Sequence, residues 1–336
     1  MNRVSSTKPS DAANVDGRAD YNCSLSFRQW PKVSVITPSL NQGQFLEETL
    51  LSVLSQQYPN LEYMVFDGGS EDQSVQVLRR YDDRLAYWEC QSDRGQANAI
   101  NKGLERCSGE IIAYLNSDDL YLPDTLKTVA CFFAEHPEMD LVYGDCRVID
   151  EHSSCLGTWR SRSFDPVVEL CRNFIFQPTV FWRRRLYEQV GMFDERLLYV
   201  MDIDYWYRAL PFGKFAYLDK ELACFRIHTS SKTSRRGSFA EERERILQEF
   251  FERDRGGEMA KFRDLIYAWH HFHAGEEFYG RGALPEAMRE FIRSLKYTPV
   301  SLRSWYVLLA VIDRVCNSRL LAMMQRLHRL SPKTHG

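Results

Sequence analysis

Two periods of hydrophobic and polar positions alternate along the first part of the chain. A β-rich run at 33–37 is followed by apolar residues at helical spacing from Phe45 to Leu54, which predicts a strand and then a helix. The same succession recurs up to Gly144. The predicted strands are 33–37, 63–66, 85–88, 111–115 and 140–144. This alternation indicates an α/β fold with a mostly parallel sheet and helices on both faces.

A small all-helical region follows the α/β pattern. Beyond about Ser238 the strand signal disappears, and a charged, apolar-periodic run at 241–251 begins a helical tail. Small, aromatic and proline positions in 271–299 are spaced as in one tetratricopeptide repeat, and a single copy cannot bury its own face. We therefore expect a helical hairpin packed on its neighbours. The predicted limits are a disordered leader at 1–30, an α/β domain at 31–237 and a helical region at 238–336.

Composition narrows the class of protein. With 336 residues, of which 44% are hydrophobic and 26% charged, the chain can bury a sizeable core. A formal net charge of -3 argues against nucleic acid as a partner, because such binders neutralise phosphates with Lys and Arg. Nine cysteines without a Cys-x-x-Cys pair indicate neither a zinc site nor a disulfide framework. Most are expected to be buried thiols in a reducing compartment.

Localisation is predicted from the apolar runs. No stretch reaches the roughly 18 apolar residues of a membrane-spanning helix, and no N-terminal apolar stretch predicts a signal peptide. We therefore expect a cytoplasmic protein. The apolar run at 305–312, which basic residues follow, has two interpretations. It either lies at the inner face of an anionic membrane as a peripheral contact or packs against the helical region.

Candidate chemistry lies in the loops after predicted strands, because ligands of such sheets bind at the carboxyl ends of strands. Asp67-Gly68-Gly69-Ser70 stands at a strand-to-helix junction, where glycines permit close backbone approach and a helix N-terminus favours phosphate groups. A turn followed by a helix cap at Ser70, with Gln73 completing a capping box, explains the same residues equally well. The loop alone does not decide between the two.

Asn116-Ser117-Asp118-Asp119 comes directly after a predicted buried strand. Two carboxylates at a strand end are costly unless they stay solvated or meet a cation, and oxygen ligands of this kind suit Mg or Mn. Asp118 is the preferred metal ligand. For Asp119 the alternative is a solvated loop that caps the helix after Pro123.

Asp93 and Arg94 lie in a charged loop just before a predicted helix at 96–106. Arg94 is a candidate partner for a diphosphate, and Asp93 for a sugar hydroxyl. The alternative is that Asp93 caps the helix. That alternative leaves Arg94 unexplained only if its side chain is buried.

Asp202 and Asp204 open a later predicted helix, where positions two apart point in different directions and should not share a role. Asp202 is a candidate general base, and the alternative is a helix cap at Asp202 with Asp204 in the first turn. His228 is a candidate metal or phosphate contact, although a lone histidine is more often a satisfied surface or core residue. Lys232 and the two arginines after it are either phosphate contacts or a solvated basic loop.

Together and in this order, these motifs resemble glycosyltransferase family 2 over roughly 32–232. The matching motifs are 33–38, 67–70, 93–95 with 101–103, 116–119 and 201–204. The resemblance implies the GT-A fold, a Rossmann-like nucleotide-sugar-binding sheet with helices on both faces. It also implies an inverting enzyme that moves a sugar from a nucleotide-sugar, such as a UDP-sugar, to an acceptor hydroxyl.

The resemblance also implies roles for individual residues in the binding of the donor. The residues concerned are Pro38, Asp67, Asp93, Arg94, Asn116 and Asp119. Asp67 matches the residue that holds the base, and Pro38 lies beside it at the end of the first strand. Asp93 matches the donor-sugar position, and Arg94 matches a basic residue near the diphosphate.

For metal binding and catalysis the resemblance implies a second set of residues. Asp118 binds Mn or Mg, and His228 matches a histidine that some members use on the metal or the diphosphate. Asp202 matches the general base, which Asp204 supports. The implied reaction is a single displacement that inverts the anomeric configuration.

Two positions depart from the family pattern. Gly68 stands where the family often has a second acid, and Asn116 replaces the first acid of the Asp-x-Asp triplet. A neutral asparagine still hydrogen-bonds a ribose or a water, so we expect an active enzyme.

Two other classes of protein compete with this interpretation. A nucleotidyltransferase needs a Gly-rich phosphate loop with a lysine near the chain start, which 41–44 does not supply. A non-catalytic scaffold that binds a partner through the helical tail would be favoured by an uncharged residue in place of Asp202, and Asp202 is present. By analogy, the expected acceptor is a glycan of cell-surface polysaccharide or glycoconjugate synthesis, such as a lipid-linked oligosaccharide.

Overall fold

The structure is a computed structural model that describes residues 30–232 and 239–297. It divides into two compact units, with the boundary between residues 237 and 238 and with Leu170–Arg172 grouped into the second unit. Apart from Trp30, the predicted leader lies outside the described residues, as do Pro299 and the apolar run at 305–312.

The first unit alternates strands and helices. The strands of the described residues are β1 (Val33–Ser39), β2 (Leu61–Asp67), β3 (Tyr87–Cys90), β4 (Ile111–Tyr114), β5 (Leu120–Tyr121), β6 (Leu141–Ile149), β7 (Cys155–Trp159), β8 (Phe181–Arg183) and β9 (Phe215–Arg226). The helices that begin in this part of the chain are α1 (Gly43–Leu54), α2 (Ser74–Arg80), α3 (Gln96–Arg106), α4 (Thr125–Glu135), α5 (Pro166–Cys171), α6 (Arg184–Val190) and α7 (Met201–Ala209). The predicted α/β class is therefore confirmed.

The strands form one mixed sheet in the order β3-β2-β1-β4-β8-β6-β9-β5, with β7 paired to β6. Strands β3, β2, β1 and β4 are parallel, as the alternating pattern predicts. Beyond β4 the prediction of a mostly parallel sheet is wrong, because β8 runs antiparallel to both β4 and β6, and β5 and β7 also pair antiparallel. Strand β7 follows β6 through a turn at 150–154, which is too short for the crossover that parallel neighbours need.

Helices cover both faces of the parallel strands. On one face, Val33 and Val35 of β1 pack in a fully buried cluster with Leu50 of α1 and Val129 of α4. Each such side chain contributes about 1.5–3 kcal/mol of hydrophobic stabilisation. On the other face α3 lies so close to β1 that a Cβ at Gly103 would come within 2.5 Å of the Ile36 side chain. The sheet is therefore held between two layers of helix, with its strand ends left free for a site.

The second unit consists, in its described part, of helices. These are α8 (Phe239–Arg253), α9 (Arg263–Gly280) and α10 (Leu284–Tyr297). Helices α9 and α10 pack as a hairpin around Phe272, Ala287 and Phe291. The contact is close at Gly275, where a Cβ would lie 2.5 Å from the Phe291 ring. The expected all-helical region with a hairpin is thus present, and its likeness to a tetratricopeptide repeat stays a prediction.

None of the helices described here is long and apolar enough to cross a membrane.

The described cysteines with free thiols are Cys90, Cys107, Cys146, Cys155, Cys171 and Cys224. Cys131, by contrast, is disulfide-bonded, so the expectation of thiols does not hold at that position.

Candidate active site

The ends of three neighbouring strands bring the predicted loops together. Ser39 at the end of β1 is in register with Asp67 at the end of β2, and Pro38 is in register with Phe66. On the other side of β1, Tyr114 of β4 is in register with Ile36. Because all three strands are parallel, the loops that follow them meet at one edge of the sheet.

Asp67 organises its own loop. Its carboxylate accepts hydrogen bonds from the backbone N–H of Gly69 at 3.1 Å, and from the N–H and hydroxyl of Ser70 at 2.7 Å each. Only 1% of Asp67 is exposed. The predicted cap at Ser70 is wrong, because α2 begins at Ser74 and Ser70 is committed to Asp67. A contact of Asp67 with a base stays a prediction.

The β1–α1 loop is tied to this turn. Asn41 has a left-handed backbone (φ 52°), its N–H donates to the Ser70 hydroxyl, and its Oδ1 accepts the N–H of Glu71. Ser39, which sequence reasoning missed, is 5% exposed, and its hydroxyl has no partner among the described residues. Buried hydroxyls normally have a partner, so Ser39 adds an available polar group beside Asp67.

Asp118 and His228, the two predicted metal ligands, lie in direct contact. Nε2 of His228 lies 2.9 Å from Oδ2 of Asp118, and Nδ1 lies 2.8 Å from the Ser230 hydroxyl. The imidazole also packs on Phe45, with ring centroids 4.6 Å apart. Residues 110 positions apart in the chain are thus brought together, as the resemblance implies. His228 is 5% exposed and fixed on both ring nitrogens.

Asp119 lies beneath the site. It is fully buried, and its carboxylate accepts hydrogen bonds from the backbone N–H of Arg226 at 3.0 Å and from Nδ2 of Asn116 at 3.1 Å. Burial, and then the neighbouring charge of Asp118, raises the pKa of Asp119 well above its usual value. The alternative of a solvated, helix-capping Asp119 is therefore wrong, since its carboxylate has no access to solvent. A donor contact through Asp119 stays a prediction.

Asn116 is the centre of an amide network. Its Oδ1 accepts from Nε2 of Gln96 at 2.6 Å, and its Nδ2 donates to Oε1 of Gln177 at 3.1 Å as well as to Asp119. Gln177 in turn donates to the carbonyl of Tyr114 at 2.8 Å. Gln96 and Gln177 were missed, because nothing in their local sequence marks them. The replacement of an acid by Asn116 fits this network, since a carboxylate there would face the carboxylate of Asp119.

Arg226 is a fourth residue that sequence reasoning missed. Its side chain is fully buried; Nε donates to the carbonyl of Asp118 at 2.9 Å and Nη2 to Oε2 of Glu48 at 2.6 Å. The guanidinium also lies over the Phe45 ring, 4.8 Å from its centroid. Arg226 therefore fixes the backbone of the metal-ligand candidate from below.

Asp93 packs against the glycine loop. Oδ1 of Asp93 accepts the N–H of Gly95 at 2.8 Å, and a Cβ at Gly68 would lie 3.0 Å from Oδ2 of Asp93. The second acid that the family often has at position 68 would therefore crowd Asp93 and bring two carboxylates close together. Asp93 does not cap α3, whose N-cap is Gly95 and which has no side-chain cap. That alternative is wrong.

Arg94 is an exposed side chain with one acidic partner. Its side chain is 74% exposed and pairs with Oε2 of Glu195 at 2.8 Å. An exposed arginine needs no buried partner, so the position of Arg94 alone does not require a functional explanation. A contact with the diphosphate stays a prediction.

Asp202 and Asp204 have the separate environments that their spacing predicts. Asp202 lies in the first turn of α7, where Val200 is the N-cap, so the helix-cap alternative is wrong. Burial raises the pKa of Asp202 to about 6, although a hydrogen bond from the Ile203 N–H and the charge of Lys232 oppose this. Asp204 instead pairs with Arg208 at 2.7 Å on the same helix. A carboxyl with a pKa near neutrality is suited to general-base chemistry.

Lys232 connects the general-base candidate with the donor motifs. Its ammonium donates to Oε1 of Gln96 at 2.7 Å, and its charge reaches Asp202. Gln96 in turn donates a hydrogen bond to Asn116. Asp202 therefore shares one electrostatic environment with the strand-end loops. The two arginines after Lys232 in the sequence lie outside the described residues.

A sheet of this topology, with acids and amides gathered at its strand ends and Lys232 beside them, is the arrangement expected of a glycosyltransferase of the GT-A class. Residues 34–189 match the model of glycosyl transferase family 2. A PGL/p-HBAD biosynthesis glycosyltransferase of Mycobacterium bovis is 31% identical over 179 residues, which cover 52% of this chain and 68% of that protein. The chain therefore belongs to glycosyl transferase family 2 and is an enzyme of that family.

Other relatives match over varying shares of their length. Five glycosyltransferases of Rickettsia species, whose own activities are uncharacterized, are 24% to 27% identical to this chain. The match spans 41% of the length of the R. felis protein and 72% of that of the R. typhi protein.

Solved structures share the fold. Residues 1–349 of S. aureus TarS in complex with UDP-GlcNAc superpose with a TM-score of 0.63 at 19% identity, covering 90% of this chain and 93% of that one. The mannosyltransferase PcManGT from Pyrobaculum calidifontis, in complex with GDP-Man and Mn2+, gives a TM-score of 0.53 at 19% identity, covering 91% and 88%. These two structures support a GT-A sheet in the first unit that is followed by C-terminal helices.

Proposed function

We propose that this protein transfers a sugar from a nucleoside-diphospho-sugar, with a UDP-sugar as the first candidate, to an acceptor hydroxyl with inversion. The observation that carries the proposal is the pKa of about 6 at the Asp202 carboxyl. The charge of Lys232 acts on this carboxyl, and the Lys232 ammonium also donates to Gln96 beside the donor loops. A base of this pKa is ionised at neutral pH and is still basic enough to take a proton in the transition state.

The donor occupies the strand ends in this proposal. Pro38 and Asp67 lie at the nucleotide end, where the unpartnered hydroxyl of Ser39 is available to the base or ribose. Asp93 faces the donor sugar and Arg94 the diphosphate. Asn116 and Asp119 act mainly by holding the shape of the pocket, because their polar atoms are bonded to each other, to Gln96 and Gln177, and to Arg226.

Mn or Mg fits the pair formed by Asp118 and His228. Their ligand atoms are 2.9 Å apart, close to the spacing of about 3 Å between adjacent ligands of an octahedral ion bound at about 2.1 Å. Within the described residues no group of three His, Cys, Asp or Glu side chains gathers around one point. Asp118 and His228 would hold the ion, and oxygens of the diphosphate and of water would supply the remaining ligands. When bound, the ion stabilises negative charge on the leaving diphosphate.

The chain's own residues carry the proton and orient the reactants. Asp202 accepts the proton of the acceptor hydroxyl while that oxygen attacks the anomeric carbon from the face opposite the diphosphate. The bond between the anomeric carbon and the diphosphate oxygen breaks as the new bond forms, and the configuration inverts. Arg94 stabilises the departing nucleoside diphosphate. Asp204 pairs with Arg208, whose guanidinium donates to the carbonyls of Val190 and Met192 and so ties α7 to the end of α6.

The acceptor is proposed from relatives. The M. bovis relative is named for PGL/p-HBAD biosynthesis, and glycoconjugate synthesis is the class that we propose here, with a glycan such as a lipid-linked oligosaccharide as acceptor. We place the enzyme in the cytoplasm, and for the run at 305–312 both interpretations, packing against the helical region and a peripheral contact at the inner face of the membrane, stay open. We also propose domain limits of 31–237 and 238–336, which the division of the chain between residues 237 and 238 supports.

Asp202→Asn tests the proposal. Release of nucleoside diphosphate from UDP-GlcNAc and from GDP-mannose is measured with and without a detergent-solubilised glycolipid fraction as acceptor. We expect Asp202→Asn to lower acceptor-dependent release about 10²- to 10⁴-fold while nucleotide affinity is unchanged. Asp83→Asn, at an exposed acid in a short turn, is the matched control. Equal acceptor-dependent release by the wild type and Asp202→Asn would reject Asp202 as the base. No acceptor-dependent release by the wild type would favour a scaffold role.

A further inference from the structure

Glu195, in the segment between α6 and α7, joins several groups of the proposed donor site. Its Oε2 accepts a hydrogen bond from Nε of Arg94 at 2.8 Å and lies 2.8 Å from Nη2 in an ion pair. Its Oε1 accepts from Nδ2 of Asn98 at 3.0 Å and from Nδ2 of Asn101 at 3.2 Å. One carboxylate is therefore bound to the loop before α3 through one oxygen and to α3 itself through the other.

The two asparagines extend this connection. Oδ1 of Asn98 accepts the N–H of Arg94 at 3.3 Å, and Asn101 bonds both the N–H and the carbonyl of Phe193 at 2.9 and 3.0 Å. Phe193 stacks on Tyr205 of α7, with ring centroids 4.3 Å apart. The segment that leads into α7, the helix of Asp202, is thus fixed to the helix that follows Arg94.

Glu195 is held in its charged form. Burial opposes ionisation, but hydrogen bonds from Asn98, Asn101 and Arg94 outweigh it and lower the pKa of Glu195. Its side chain is 27% exposed, against 74% for Arg94. The carboxylate is therefore the more buried partner, with three hydrogen-bond donors around it, and the arginine is the more exposed one.

The geometry leaves part of the guanidinium available. Glu195 takes Nε and Nη2, and within the described part of the chain Nη1 of Arg94 donates to no partner. A guanidinium that is held along one edge loses less freedom when its other edge meets a phosphate oxygen.

We propose that Glu195 is a positioning residue of the donor site, which holds Arg94 so that its free edge faces the donor diphosphate. The proposal rests on the role of Arg94 given above. It goes beyond that role because Glu195, which orients Arg94, lies in the segment that leads into α7, the helix of Asp202. Glu195 touches neither reactant and acts through Arg94.

A double-mutant cycle on nucleotide affinity tests this assignment. The dissociation constants of UDP and of GDP, each with Mn, are measured by calorimetry for the wild type, Glu195→Gln, Arg94→Ala and the double variant. Glutamine keeps an oxygen for Asn98 and Asn101, so Glu195→Gln removes mainly the ion pair. We expect Glu195→Gln to weaken nucleotide binding about fivefold in the wild type and not at all in the Arg94→Ala background.

Glu89→Gln is the matched control, because Glu89 pairs with Lys102 of the same helix α3 at 2.8 Å. It should leave nucleotide affinity unchanged, which separates positioning of Arg94 from general loosening of α3. Tighter binding by Glu195→Gln, or equal weakening in both backgrounds, would overturn the assignment alone. An absence of nucleotide binding by the wild type would overturn the proposed function and this assignment with it.

Discussion

Nε2 of His228 lies 2.9 Å from Oδ2 of Asp118, although the two residues are 110 positions apart. The contact is formed at the carboxyl end of the sheet, where Arg226 holds the carbonyl of Asp118 and Phe45 packs on the His228 ring. A histidine at the end of β9 and an acid after β4 are therefore presented together on a rigid support. This pair is the feature on which the metal-dependent part of the proposed function depends.

The pH dependence of transfer follows from the environment of Asp202. A base must be unprotonated to accept a proton, so a pKa of about 6 predicts that kcat/KM falls as the pH drops through about 6. The charge of Lys232 lowers this pKa, so Lys232→Met should move the acid limb of the profile to higher pH. Lys127→Met, which breaks the pair of Lys127 with Asp124, is the control and should leave the limb in place. An acid limb that is the same in wild type and Lys232→Met would contradict the assigned link.

Asn116→Asp restores the acid of the family triplet and should nevertheless destabilise this chain. It places a second carboxylate about where Nδ2 now lies, 3.1 Å from the buried Asp119. We expect a loss of about 2–4 kcal/mol in the free energy of unfolding at neutral pH.

The sign of the pH effect follows from linkage. Two close carboxylates raise each other's pKa in the folded state, so the native protein binds more protons than the unfolded chain, and the loss at Asn116→Asp shrinks as the pH is lowered. Urea denaturation at a series of pH values measures this. Asn173→Asp, at an exposed position where Oδ1 accepts from Ile175, should have little effect at any of them. A stable Asn116→Asp at neutral pH would reject the proposed role of the amide network.

The helical hairpin gives a prediction about packing alone. Gly275→Ala places a methyl group 2.5 Å from the Phe291 ring, whereas at Gly280 of the same helix a Cβ would meet nothing within 4 Å. We expect Gly275→Ala to lower the free energy of unfolding by about 1–2 kcal/mol, and Gly280→Ala to raise it by up to about 1 kcal/mol. Thermal unfolding followed by circular dichroism distinguishes the two. A stabilised Gly275→Ala would show that α9 and α10 do not pack as described.

The fold and the order of the motifs were predictable from local pattern. The parallel strands β1, β2 and β4 and the loops after them follow from periodicity and from glycine and acid residues in short runs. The sheet beyond β4 was not, because a strand of three residues such as β8 carries no directional signal. Short strands are placed by tertiary packing.

Three residues that sequence reasoning missed have their partners far away in the sequence. Arg226 meets Glu48 across 178 positions, and Glu195 meets Arg94 across 101. Gln177 meets Asn116 across 61. A single arginine, glutamate or glutamine in an unmarked stretch does not reveal a partner so far away. The side chains that hold the strand-end loops therefore needed the structure, whereas the motif residues were candidates from the sequence alone.

Metal-dependent binding of the donor through Asp118 is tested most directly by calorimetric titration of UDP and GDP into the wild type and Asp118→Asn, with and without Mn. We expect Mn to strengthen the binding of one nucleotide to the wild type at least about tenfold and to have no such effect in Asp118→Asn. Asp83→Asn should behave as the wild type. Equal Mn dependence in the wild type and Asp118→Asn would contradict the role of Asp118 as the metal ligand, and no nucleotide binding at all would contradict the proposed nucleotide-sugar donor.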